Sequence, residues 1–397
     1  MANVWKNGSV LRLVLAQALA GANAAVVYAT GAIIGHQLSP DPTLATLPIS
    51  IFVVGMACAT LVTGNIVRRW GRIPSFMFGN VCGVIVGVLA AAAILKNSFA
   101  LFCVSMLFGG AYASVVLTFR FAAAECVTAQ QRPKALSAVM AGGVFAGVLG
   151  PQLVSLTMEW WPGFDFAATY LAAAAVAAVS ACMLRGVRFT EAPPTSRSGG
   201  RSTSQLLRHP PLLVAMLCGV VSYTVMNFLM TSAPLAMAMH GMHQHDANLG
   251  IQWHIVSMYA PSFITGSLIA RFGAARSVLL GMGLLIASAA TGLLAPTVMN
   301  FWILLVLLGV GWNFGFLGAS ALVLSCHRPD EKAKVQSLND FVVFTTVAIG
   351  SFISGDMLAT HGWTAVCTAA IPPVIAAALV VSVHLWKQRP VTTTIQT

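Results

Sequence analysis

Twelve apolar runs follow one another along this chain, separated by short polar connections. They fall at 9–34, 44–66, 75–95, 99–122, 136–158 and 166–185, then at 211–239, 248–269, 277–296, 300–324, 336–359 and 363–386. Crossing a hydrocarbon core takes about 20 helical residues, and each run reaches that length. Lipid offers no hydrogen bonds to stray backbone groups, so the runs are expected to be helices. Composition agrees: 58% of the 397 residues are hydrophobic and 8% charged, against about 25% charged in a water-soluble domain. The expectation is an all-α membrane protein of twelve transmembrane helices.

Charge gives the chain an orientation. Basic residues gather in alternate connections: Arg68, Arg69 and Arg72; Arg132 and Lys134; Arg271 and Arg276; Arg328, Lys332 and Lys334. The intervening loops hold only Lys96. Basic loops face the cytoplasm, so both termini are expected there. The net charge of +11 therefore belongs to loops beside a lipid bilayer. No basic patch carries interleaved aromatics, and no nucleic-acid partner is expected. The N-terminal run lacks a small-residue cleavage site and reads as the first span.

Residues 186–210 are basic and rich in Ser, Thr, Pro and Gly, the composition of a linker. They divide the chain into 1–185 and 211–397, each expected to form a six-helix bundle. The two parts repeat one another. Gly64, Arg69 and Gly71 recur 202 residues later at Gly266, Arg271 and Gly273. Further on the offset is 200: Gly109 with Gly309, Cys126 with Cys326, Ser137 with Ser337, Gly150 with Gly350. A repeat of half the chain fits a duplicated, pseudo-symmetric transporter.

Enzyme chemistry has no foothold. No GxxxxGK[ST] loop, nucleophile–base arrangement or paired carboxylates appear. The eight cysteines form no CxxC pair, and no cofactor is expected. Few charges lie near the spans. Arg120 and Glu125 close the fourth span and read as a local ion pair at a gate.

The connection after the second span resembles the major-facilitator loop motif G-x-x-x-D-R-x-G-R-R, through Gly64, Arg69, Gly71 and Arg72. Arg271 and Gly273 repeat part of it. Arg68 stands where the motif has an acid, and Ala270 does so in the second copy. In the family that acid helps lock the cytoplasmic side, so the lock itself is in question here. Gly147, Gly150 and Pro151 resemble part of an exporter motif. Span eight, ending Ala260-Pro261-Ser262-Phe263-Ile264-Thr265-Gly266, is similar to a bacterial branch of riboflavin importers and sister copper importers. The resemblance implies two six-helix bundles in the bacterial inner membrane, a monomer, and import by alternating access.

Two constellations compete for the cargo. Met226 and Met230 are four apart on span seven, and His254 and Met258 are four apart on span eight. Such pairs share a helix face, and thioethers suit Cu(I). The spacing resembles the copper importers' pairs, although Met also serves as plain packing. The second set joins the amides Gln17, Asn23, Asn227 and Asn313 to the aromatics Tyr112, Trp253 and Trp312. With His254 they offer stacking surfaces and hydrogen bonds to a flat, polyhydroxylated solute. Trp312 falls 200 residues after Tyr112, so the two are expected to line one central cavity. No cysteine lies between Met230 and His254, where the copper branch would supply one. Riboflavin uptake is the preferred reading, copper uptake the alternative, and efflux of small amphipathic solutes a third.

Overall fold

The computed structural model describes residues 4–41, 44, 47–189 and 200–387. Residues 190–199 of the linker lie outside the described residues. Described residues form helices and no strand. In chain order these are α1 (Gly8–Leu38), α2 (Leu47–Trp70), α3 (Arg72–Leu95), α4 (Phe99–Leu117) and α5 (Phe119–Glu125). Then come α6 (Arg132–Thr157), α7 (Ala167–Leu184), a short α8 (Thr203–Leu206), α9 (Pro210–Met239) and α10 (Gln244–Tyr259). The last are α11 (Ser262–Phe272), α12 (Ala274–Gly292), α13 (Val298–Ser325) and α14 (Lys332–Lys387).

Local chemistry sets these boundaries. Asn7, Ser98 and Thr297 cap α1, α4 and α13 by accepting from free N–H groups of the first turn. The α10–α11 break falls at Ala260-Pro261, and Pro261 has no N–H to continue the ladder. Among the described residues eleven stretches are long and apolar enough to cross a membrane, with α4–α5 and α10–α11 each counting once. The last, Pro329–Trp386, runs 58 residues, about 87 Å if straight. Gly362, with φ 78°, takes the backbone out of the helix between the two expected spans.

Exposed side chains are apolar where a soluble protein would be charged: Phe145, Leu156, Ile264 and Leu379 all face outward. Lipid is the solvent that tolerates them. Exposed Trp70, Trp160, Trp161 and Trp386 lie near helix ends, where amphipathic rings favour the membrane interface.

Inside, α1 packs on α6, α2 on α4, and α3 on α4 and α7. Later in the chain α9 packs on α13 and α14, and α12 on α13 and α14. Early and late helices meet chiefly through α2 with α14 and α6 with α11. These two contacts mirror each other. Gly64 of α2 leaves no room for a Cβ beside Ser337 of α14, whose hydroxyl donates to the Thr60 carbonyl at 2.7 Å. Gly266 of α11 is pressed against Ser137 of α6. The Ser137 hydroxyl donates to the Ser262 carbonyl and accepts from Gly266 N–H at 2.9 Å. The glycines repeat at 202 residues and the serines at 200, so each repeat supplies one glycine and one serine.

The turns repeat as well. Gly71 joins α2 to α3 at φ 86°, and Gly273 joins α11 to α12 at φ 91°. Their ψ values are −173° and 153°, a conformation open to glycine almost alone. Gly71→Ala or Gly273→Ala is expected to cost about 1–3 kcal/mol, read as a lower Tm of the detergent-purified protein.

Candidate functional site

Aromatic rings from four helices build a wall where early and late helices approach. Trp312 and Phe316 are one turn apart on α13 and stack at 5.2 Å. Tyr223 of α9 meets both edge-on, at 5.6 and 5.1 Å. Tyr259 of α10 meets Trp312 edge-on at 5.8 Å, and Phe344 of α14 meets Tyr223 at 5.6 Å. Edge-to-face and offset pairs are the favoured aromatic geometries. The Tyr259 ring lies against Gly143 of α6, where a Cβ would clash. Tyr223 and Tyr259 are half-buried, and Tyr28 of α1 is 38% exposed. The Tyr223 hydroxyl is within electrostatic reach of the Tyr28 and Tyr259 phenols and of Arg120 and Asp340.

An ion pair adjoins this wall. Arg120 of α5 is fully buried, and its Nη2 donates to Asp340 Oδ1 of α14 at 2.8 Å. Its Nε donates to Ser320 Oγ of α13 at 3.2 Å, and Nη1 donates to the Leu117 carbonyl. The guanidinium lies 4.4 Å from the Phe121 ring centre and 4.6 Å from that of Phe316. A cation in apolar surroundings needs such partners, and aromatic faces supply part of the attraction. Arg120 therefore does not pair with Glu125, as its neighbourhood in sequence suggested. Glu125 binds Arg72 instead, at 2.6 and 3.3 Å, and approaches Lys332 at 3.4 Å. Arg72 also donates to Gln336 of α14. Arg72 thus finds its carboxylate 53 residues on. Arg69 is exposed, Arg68 donates to Asn65 Oδ1 at 2.9 Å, and Arg271 lies over Phe272 at 5.2 Å.

The remaining expected residues scatter. Tyr112 does not join Trp312. Its hydroxyl donates to Asn80 Oδ1 at 3.3 Å, and with Asn23 it lines a separate cavity of about 10 Å³ among α1, α2, α3, α4 and α7. One water would fill that space. The equivalence of Tyr112 and Trp312 reflects the duplication, and each ring packs within its own repeat. Asn313 is spent on the α10–α11 break: it donates to the Met258 carbonyl and Ser262 Oγ and accepts from Thr265 Oγ1. Trp253 is 52% exposed and stands apart from the wall. Gln17 Oε1, Asn23 Nδ2 and Asn227 Nδ2 are buried without a partner, as is Trp312 Nε1.

His254 is buried between α10 and α13, with Nδ1 2.7 Å from the Leu305 carbonyl. A carbonyl only accepts, so Nδ1 carries the proton and Nε2 keeps a lone pair with no partner. Met226 and Met258 are buried in the apolar core, and Met230 packs against it. Among the described residues no three His, Cys, Asp or Glu side chains could hold a metal ion.

Tyr223, Tyr259, Phe316, Phe344 and the Arg120–Asp340 pair escaped the sequence reading. Rings inside apolar helices look like packing, and a partner 220 residues away leaves no local trace. Breaking a buried ion pair by removing one partner costs about 3–5 kcal/mol, whereas replacing both with apolar groups is often neutral. Arg120→Ala is expected to lower the Tm markedly, and the double variant Arg120→Met with Asp340→Leu to recover most of it.

Residues 13–260 and 216–396 match the sequence profile of the Major Facilitator Superfamily. A Brucella anthropi protein named riboflavin transporter RfnT is 41% identical over 375 residues, covering 94% of each chain. YdeG of Bacillus subtilis, an uncharacterised MFS-type transporter, is 30% identical over 88% of this chain and 86% of its own. FucP in its outward conformation superposes with a TM-score of 0.76 at 14% identity, over 98% of this chain and 100% of that one. The proton:xylose symporter XylE superposes at 0.75, also at 14% identity, over 96% of this chain and 95% of that one. These matches and the helical architecture agree: the chain is a transporter rather than an enzyme, and it belongs to the Major Facilitator Superfamily.

Proposed function

We propose that this protein imports riboflavin across the bacterial inner membrane by alternating access. In this reading twelve spans form two six-helix bundles, 1–185 and 211–397, joined by the linker 186–210. The protein acts as a monomer with both termini in the cytoplasm. Gly362 divides the last long stretch into two spans. The basic-loop side is the inner gate, held shut by the Gly64–Ser337 and Gly266–Ser137 contacts and by Arg120–Asp340 and Arg72–Gln336. Release of those contacts would open the site inward.

The aromatic wall carries the cargo assignment. Tyr223 and Tyr259 are the half-buried rings of that wall, braced by the fully buried Trp312, and Tyr259 faces α6 at Gly143, in a chain 41% identical to a protein named riboflavin transporter. A tricyclic flavin needs flat stacking surfaces. The unpartnered amide atoms of Gln17 and Asn227 would serve the ring edge and the ribityl hydroxyls. Copper keeps one supporting observation, the free Nε2 of His254, against methionines engaged in core packing.

The first test is uptake of labelled riboflavin by cells that neither make nor import it. Saturable accumulation on expression supports the reading. No uptake by protein confirmed in the membrane sinks it, and labelled copper is then the next cargo to try. Lower drug tolerance on deletion would instead favour efflux. Losing the half-buried Tyr259 ring should cost about 2 kcal/mol of solute binding, roughly 30-fold in KM for Tyr259→Ala. Met230→Leu should leave riboflavin uptake close to wild type, whereas a copper carrier would lose its activity.

A further inference from the structure

The turns at Gly71 and Gly273 share more than a backbone. Each follows one three-residue pattern, Arg69-Trp70-Gly71 and Arg271-Phe272-Gly273, 202 residues apart. Both arginines are exposed, and so are both rings, Trp70 at 64% and Phe272 at 47%. Each turn adds a second exposed guanidinium, Arg68 at the first and Arg276 at the second. One cation at each turn is held in place: Arg68 donates to Asn65 Oδ1 at 2.9 Å, and the Arg271 guanidinium lies 5.2 Å from the Phe272 ring centre.

Nothing in the described protein neutralises this charge. The ion pairs join Arg72 and Lys332 to Glu125, Arg120 to Asp340, and Arg201 to Glu331. Among the described residues no carboxylate pairs with Arg68, Arg69, Arg271 or Arg276. The acid that the loop motif would place among them is absent from both copies, with Arg68 and Ala270 in its place. Below the turns the helix walls are apolar and exposed, at Leu61 and Val62 of α2, Ile264 of α11 and Leu280 of α12. Lipid chains therefore reach up to each turn. An exposed ring favours the boundary between acyl chains and headgroups. A guanidinium there forms paired, charge-assisted hydrogen bonds to phosphate oxygens. A zwitterionic headgroup brings its own ammonium to such a place, whereas an anionic one brings the net charge that complements two arginines.

We propose that these two turns are a matched pair of binding sites for anionic phospholipid headgroups in the leaflet on the basic-loop side. Arg68 and Arg69 hold one headgroup phosphate, with Trp70 set at the acyl boundary beside it. Arg271 and Arg276 hold the other, beside Phe272. Each site ends a helix that carries a tight glycine contact, Gly64 five residues before Arg69 and Gly266 five before Arg271. Bound lipid thus fixes the ends of the two helices that meet Ser337 and Ser137.

The experiment is native mass spectrometry of the detergent-purified full chain, with added phosphatidylglycerol or phosphatidylcholine of the same acyl chains. No transported solute is needed, so the result stands apart from the cargo reading. Wild type should retain two phosphatidylglycerols in preference to phosphatidylcholine. Arg68→Gln with Arg69→Gln should weaken one site about 30-fold, and Arg271→Gln with Arg276→Gln the other. The fourfold variant should hold phosphatidylglycerol no better than phosphatidylcholine. Trp70→Phe should keep the first site and Trp70→Ala weaken it. Arg208→Gln, an exposed arginine on neither turn, should change nothing. Equal retention of the two lipids by wild type overturns the proposal, as does undiminished phosphatidylglycerol in the fourfold variant. A loss in Arg208→Gln as large as in either double variant reduces the effect to a general field of the basic loops and overturns the two sites. Ready displacement of the lipid by inorganic phosphate would make them free-anion sites and overturn the lipid assignment.

Discussion

A guanidinium cut off from water must find all its partners in protein, and Arg120 finds them on several helices. It takes a carboxylate from α14, a hydroxyl from α13, a carbonyl from α4 and the faces of two phenylalanines. The apolar surroundings that make this cation expensive also make the arrangement specific, because few alternatives satisfy it. Other features of the interior follow from it. Phe316 is held under the cation and in turn holds Trp312 and Tyr223. The aromatic wall and the contacts of the basic-loop side therefore meet at one residue, Arg120.

Shape does the remaining work at that side. Ion pairs attract over a distance, but two helices close only if their surfaces allow it. Gly64 and Gly266 provide the gaps, and Ser337 and Ser137 fill them. The serine hydroxyls donate back to Thr60 and Ser262 carbonyls, so the close approach buries no unpaired hydroxyl. A closure built from two mirrored contacts resists tilting better than one built from a single contact.

Much of this was legible in the sequence, for physical reasons that differ by feature. Hydropathy marks a span because lipid imposes it residue by residue, and the expected runs fall on the observed helices. Glycine repetition marked Gly71 and Gly273 because a positive φ excludes nearly every other residue. Side-chain partnership was illegible. Asn313 looked like a solute ligand and is a brace for the α10–α11 break. Tyr112 looked like a partner of Trp312 and faces its own repeat. Arg120 lies five residues from one carboxylate and 220 from the one it binds. Such choices are decided by how helices rotate against each other, which apolar sequences of nearly uniform character do not encode in any short window.

The duplication has a further consequence. Equivalent positions keep equivalent backbone, as the turns at Gly71 and Gly273 show, yet they do not keep equivalent charge. Arg120 corresponds to Ser320, Glu125 to Ser325, and Asp340 to Met140. Repeated backbone does not oblige repeated charge, because the turn geometry and the side-chain chemistry are set by different residues. Matched sites differ in single side chains, which leaves the scaffold even-handed and the electrostatics one-sided. A chain with the same side chain at both members of each pair could share this shape, but it would lack the lopsided field that surrounds Arg120.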